Sequence, residues 1–202
     1  MSAYDNQLYI TRRSFFLLST GIGLVAWQPS ALALSSVEQY VAGIGADVIR
    51  LANSNAPKAT MRRRFSALVS RYANVRSVGL LALGPYQKQL PVNRRDEFFR
   101  LVADYIAAFF VSYIDDFKGA RLNVVSSAEQ GRSTIVESRI ISDGGGGDTR
   151  VNWRVTSGRV SDVNVSGVWL SLQLKKRFTD ILRRADGNFN PLFAELRSAG
   201  SW

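Results

Sequence analysis

Past Gly119 the spacing of apolar residues changes from a period of 3.6 to a period of 2, and near Trp169 it changes back. A helix buries one stripe and a strand one alternating face, so the pattern dictates helices, then paired strands, then helices again. Ser35-x-x-Glu38 is a capping box, and Val37, Val41, Ile44, Val48 and Leu51 follow at helical spacing, predicting a helix over Ser36–Ala52. Asn53–Pro57 breaks it. A second helix carries Met61, Phe65, Leu68, Val69 and Tyr72, and a third, Arg76–Leu83, stops at Gly84-Pro85. A long fourth helix is expected over Arg94–Phe117, with Asn93 as N-cap and Asp96 and Glu97 at the positive end of its dipole. Its aromatics, Phe98, Phe99, Tyr105, Phe109, Phe110, Tyr113 and Phe117, surround the helix, so several of its sides are covered.

Four antiparallel strands are expected over Leu122–Ala128, Ser133–Ser142, Arg150–Thr156 and Arg159–Val165. Their connections are Glu129-Gln130-Gly131, Asp143–Asp148 and Ser157-Gly158. Val151, Trp153 and Val155 alternate with Asn152, Arg154 and Thr156, giving one dry and one wet face. The Gly144–Gly147 run lies between two strands and lacks the following helix N-terminus that a phosphate cradle needs; it reads as a hairpin loop. Helix resumes over Trp169–Arg184, and Asn190 as N-cap with Pro191 at N1 opens a last helix ending near Ser198. No repeat or linker divides the chain. The fold class is therefore α+β: a helical N-terminal half packed on a curved antiparallel sheet of about four strands, with C-terminal helices. A hydrophobic pocket follows only if the covering helices leave part of the concave face unfilled.

The first thirty-three residues read as an export signal. Arg12-Arg13 precedes the apolar run Phe15–Trp27, too short to span a bilayer, and Ala31-Leu32-Ala33 supplies a small-x-small cleavage pattern. The expected organisation is a twin-arginine-type signal over residues 1–33, cleaved near Ala33 for release to the periplasm, and a single domain over 34–202. An oxidising compartment permits disulfides, yet the chain has no cysteine, so stability must come from packing. It has no histidine either, which removes Ser-His-Asp and Cys-His catalysis and nearly every zinc site. No cofactor or metal is expected. A carboxylate-only enzyme of the cone-shaped α+β type, using Asp115, Asp116 or Asp162 as acid and base, is the alternative this composition leaves open.

The formal charge is +10. For an exported chain the matching acidic partners are lipid headgroups or acidic protein faces. The Arg62-Arg63-Arg64 run has no interleaved aromatics for base stacking, and no nucleic-acid partner is expected.

Leu81-Ala82-Leu83-Gly84-Pro85-Tyr86, Asn93-Arg94-Arg95-Asp96-Glu97-Phe98, Ser161–Val168 with the following Lys176-Arg177-Phe178, and Gly187-x-x-x-x-Leu192-x-x-x-Leu196 occur in order across the chain. The ordered set resembles the MlaC/toluene-tolerance family of soluble periplasmic lipid-shuttle proteins. Gln87, Ser166 and Trp169 depart from the family's usual Trp or Tyr, Glu and Ser, and its Trp near Arg159-Val160 is absent. These departures bear on cargo, and a bulky Trp169 would suit the rigid lipids handled by the hopanoid-associated branch. The resemblance implies a carrier, not an enzyme, that holds the tails of a phospholipid or hopanoid-like lipid in a pocket between sheet and helices. It implies two docking partners, an inner-membrane MCE-domain ABC transporter complex and an outer-membrane lipoprotein–porin complex. Combined with the apolar faces above, it nominates Leu83, Tyr86, Tyr105, Phe109, Val151, Trp153, Val155, Val163, Val165 and Trp169 as tail contacts. Lys88, Arg94 and Arg95 are nominated for the headgroup or a partner.

Overall fold

The computed structural model describes residues 34–142 and 148–199; the expected signal segment and the Gly144–Gly147 hairpin loop lie outside them. Among the described residues six α-helices, α1 (Ser36–Ala52), α2 (Lys58–Tyr72), α3 (Val75–Leu83), α4 (Arg95–Ser112), α5 (Leu170–Arg184) and α6 (Asn190–Ser198), flank the strand region. The strands are β1 (Arg121–Gln130), β2 (Ser133–Ile141), β3 (Thr149–Thr156), β4 (Arg159–Val165) and β5 (Val168–Trp169). They form one antiparallel sheet in chain order, β1-β2-β3-β4-β5.

The capping box forms as the sequence predicts. Ser35 N donates to Glu38 at 2.8 Å and Glu38 N donates to the Ser35 hydroxyl at 3.4 Å. The fourth helix differs from expectation at both ends. A 3₁₀ turn, Val92–Arg94, leads into α4, and Arg94 occupies the cap position without a side-chain capping bond, so Asn93 is not its N-cap. At the other end α4 tightens into a second 3₁₀ turn, Ile114–Phe117, which buries Ile114. Trp169 belongs to a short fifth strand rather than to α5, because Asn164 pairs with Trp169 and Val165 with Val168 across a tight turn. Asn190 sits inside α6 with Phe189 at the cap.

Two register shifts bend the sheet: one at Val125 on the outer strand β1, and one at Ser161 on β4, where Arg154 pairs with Asp162 and Val155 with Val160. At its open end α1 lies close against β1; a Cβ on Gly45 would come within 3.0 Å of the Leu122 side chain, so only glycine allows this approach without displacement.

Buried apolar side chains gather in three clusters. Phe98, Leu101, Val102, Tyr105 and Ala108 of α4 pack with α3, α5 and α6 through Leu83, Phe178, Leu182, Leu192 and Phe193. Ala103, Ala107 and Val111, on another side of α4, pack with Leu51, Met61, Phe65 and Val69 of α1 and α2. Val41, Val136 and Val155 form a small third cluster between α1 and the sheet. The sheet thus contributes Val136 and Val155 to these clusters, and much of its inner face is not packed against helix.

Candidate functional site

The uncovered part of the sheet faces a cavity of about 1100 Å³. Val151 and Trp153 of β3, with Val163 and Val165 of β4, supply one wall; in register, Trp153 lies beside Val163 and Val151 beside Val165. Leu122 and Ile140 extend that wall across β1 and β2. Opposite them stand Ile44 and Val48 of α1, Phe65, Leu68 and Tyr72 of α2, and Tyr105, Ile106, Phe109, Phe110 and Tyr113 of α4. Leu170 and Leu174 of α5 line another side. Three rings run in file along the helical wall. Phe65 stacks on Phe110 with centroids 4.0 Å apart, and Phe110 on Phe117 at 5.1 Å.

Several polar groups at the walls are bonded to protein. The Trp153 indole N–H donates to the Ser138 hydroxyl at 2.8 Å, and that hydroxyl donates to the Val151 carbonyl at 3.2 Å. The Tyr72 hydroxyl donates to Asp47 at 2.6 Å, which holds Asp47 below the usual carboxylate range and raises the Tyr72 phenol. Burial raises the Tyr105 phenol. Among the described residues no buried side-chain nitrogen or oxygen lacks a partner. The cavity therefore offers apolar surface with few free hydrogen-bonding groups, and its volume slightly exceeds the roughly 300–1,000 Å³ of ordinary small-molecule sites.

Its mouth is greasy as well. Phe109 (49% exposed), Tyr113 (52%), Val165 (45%) and Val168 (47%) line the cavity while facing solvent. Val165 and Val168 flank the Ser166-Gly167 turn, where both residues adopt positive φ, 50° and 92°. That geometry matches the twist of a two-residue hairpin and favours glycine strongly at the second position.

Of the ten nominated tail contacts, Tyr105, Phe109, Val151, Trp153, Val163 and Val165 meet at this cavity. Four do not. Leu83 is fully buried at the α3 terminus, where Gly84 lies against Lys175 and Thr179 of α5. Tyr86 packs on the α3–α6 cluster, and Val155 is taken up by Val41 and Val136. Trp169 lies under the Arg154 guanidinium, 4.1 Å from the ring centre. Lys88, Arg94 and Arg95 are not among the lining residues either. Arg94 ties α4 to α6 by donating to Asn190 at 2.9 Å and sitting 3.4 Å over the Phe193 ring. The cation at the cavity is instead Arg177, held by Glu195 at 2.5 Å and 3.1 Å. Its i, i+4 relation to Gln173, another lining residue, was readable in the sequence, but nothing there singled out that face of α5.

The carboxylates nominated for catalysis are placed differently from one another. Asp162, 3% exposed, accepts from the Ser171 hydroxyl at 2.5 Å, the Ser171 N–H at 3.1 Å and the Val163 N–H at 3.0 Å. Arg154 stands 3.6 Å away. Asp162 touches the cavity, but its lone pairs are committed to fixing the start of α5. Asp115 pairs with Lys118 at 2.7 Å, which holds its carboxyl below the usual range. Asp116 lines the cavity near its solvent side without a second carboxylate to make an acid–base pair, since Asp162 is so engaged.

The MlaC protein family model matches residues 46–198, from the middle of α1 to the end of α6. The chain belongs to the MlaC family. The match takes in all five strands and all of the cavity lining except Ile44 and Gly45, so the hollow described above lies almost wholly in the part of the chain that the family model covers. Among solved structures, the phospholipid-binding protein from Ralstonia solanacearum, determined in complex with a phospholipid, is similar in fold. It superposes with a TM-score of 0.67 at 17% identity, covering 83% of this MlaC-family chain and 98% of the other. No curated protein matches in sequence.

Proposed function

We propose that this protein is a periplasmic lipid carrier that encloses the tails of a phospholipid in the cavity between sheet and helices and moves it between the inner and outer membranes. The observation that carries the reading is the apolar hollow of about 1100 Å³, left where the helices do not cover the sheet. Family membership and the phospholipid held by a protein of the same fold support it.

The physical need is plain. An acyl chain of about sixteen methylenes gains on the order of 13 kcal/mol by leaving water, at roughly 0.8 kcal/mol each. Spontaneous passage through an aqueous compartment is correspondingly rare. A dry cavity offers comparable burial, which makes exchange with a bilayer nearly balanced. Direction then comes from differential affinity of the docking partners, for which an inner-membrane MCE-domain ABC transporter complex and an outer-membrane lipoprotein–porin complex are the family's candidates. The twin-arginine pattern and the Ala31-Leu32-Ala33 site support export. Trp169, the residue that suited a rigid polycyclic cargo, is not part of the lining, which favours flexible acyl chains over a hopanoid. The engaged Asp162 favours a carrier over an enzyme.

Native mass spectrometry of purified protein tests the reading. The expected result is an adduct of phospholipid mass that exchanges with labelled vesicles. An apo mass in repeated preparations, with no uptake from vesicles, overturns it.

A further inference from the structure

We infer that the mouth of the cavity is itself a docking surface for an anionic lipid bilayer, so that cargo passes directly between membrane and cavity; this rests on the lipid-carrier reading above. Phe109 and Tyr113, one helical turn apart near the end of α4, have ring centroids 5.2 Å apart and are each about half exposed. Val165 and Val168, paired across the Ser166-Gly167 turn, are exposed to a similar degree. All four line the cavity, so the exposed apolar surface is continuous with the interior.

On α5 the cavity side is set by Leu170, Gln173, Leu174 and Arg177. Lys176, exposed and three positions after the lining Gln173, sets a cation beside the cavity side of α5, and Leu172, 59% exposed, lies one helical turn before it on the solvent face. Asp180 farther along is balanced by Arg183 at 3.1 Å, and the whole chain carries +10. Apolar side chains at the level of acyl chains, the half-exposed Tyr113 ring at the boundary and a flanking lysine among headgroups match the layered chemistry of a negatively charged membrane surface. Asp116 is the lining carboxylate that opposes this attraction. The contact also solves a kinetic problem: a chain sliding from bilayer to rim to cavity never exposes its methylenes to water, so the desorption barrier of free lipid is bypassed.

The test measures binding of purified protein to phosphatidylcholine vesicles with and without phosphatidylglycerol, alongside its lipid content by native mass spectrometry. Wild type should bind only the anionic vesicles. Leu172→Ser with Lys176→Glu lies outside the lining, so lipid content should be unchanged while vesicle binding falls about thirtyfold, as expected for a two-unit change of charge near the surface. Arg63→Glu, on the opposite face of α2 from its cavity-lining residues, should leave binding nearly intact. Equal loss in Arg63→Glu would mean diffuse charge attraction and overturn the inference. So would absence of vesicle binding in lipid-loaded wild type, which would assign the rim to a protein partner. Lipid-free wild type defeats the carrier reading separately, since vesicle binding is scored on its own.

Discussion

Asp162 on β4 receives both the hydroxyl (2.5 Å) and the backbone N–H (3.1 Å) of Ser171, in the first turn of α5. It caps that helix from across the fold, where the helix's own cap residue, Trp169, makes no side-chain bond. The sheet and the helical wall of the cavity are joined at this point. Asp162→Ala would leave a buried hydroxyl, an N–H and a guanidinium without their acceptor, at a cost of about 3 kcal/mol. Thermal unfolding should fall by roughly 6–12 °C for a domain of this size. Ser171→Ala, which removes one of these bonds and leaves the Arg154 contact, should cost less than half as much.

Two aromatic rings that look alike in sequence, Phe178 on α5 and Phe109 on α4, should separate cleanly by assay. Phe178→Ala removes a fully buried ring set edge-on to Phe98 and Tyr105, at centroid distances of 6.3 and 5.9 Å, and should cost about 3–5 kcal/mol. Phe109→Ala, at a half-exposed rim position, should cost less than about 1 kcal/mol yet reduce lipid carried per protein. Denaturant melts and native mass spectra of the two variants together check the division.

Filling the hollow should block cargo without unfolding the protein. Val163 is partly exposed to the cavity, beside Trp153. Val163→Trp places a ring into empty space, so melting temperature should hold or rise while the phospholipid adduct is lost. Retention of full lipid content would contradict the location of the tails.

The Tyr72–Asp47 bond gives stability a defined pH window. Asp47 is held below its usual pKa by the Tyr72 hydroxyl and Arg50, so its contribution is present above about pH 4 and disappears as pH falls through the depressed value. Tyr72 is raised by the same bond, so its contribution is present below about pH 10 and lost as pH rises through the elevated value. Tyr72→Phe should therefore lower the melting temperature between those limits and converge with wild type outside them. A pH series of thermal melts on both proteins measures this.

Much of the architecture was legible because local signals agreed with it. The Ser35/Glu38 box and the Val41, Ile44, Leu51 stripe fix α1, and the alternation Val151, Trp153, Val155 fixes β3. The ends of α4 were not, since its approach through Val92–Arg94 and its tightening at Ile114–Phe117 depend on tertiary packing rather than on Asn93. The cavity was legible only in part. Val151 and Val155 share a strand face, yet one meets the hollow and the other is sealed by Val41 of α1, a residue more than one hundred positions away. A missing neighbour leaves no local pattern. For the same reason Arg94 read as a headgroup cation, although Asn190 and Phe193 had already claimed it.

The kink at Val125 carries a last implication. β1 forms one margin of the sheet, and its outward backbone would otherwise offer ten residues of regular donors and acceptors to a second molecule. The bulge interrupts that row in mid-strand, so an incoming strand finds no continuous register to copy. Deleting Val125 to straighten the strand should leave a sticky border along which copies pair edge to edge and seed an aggregate, which light scattering would detect.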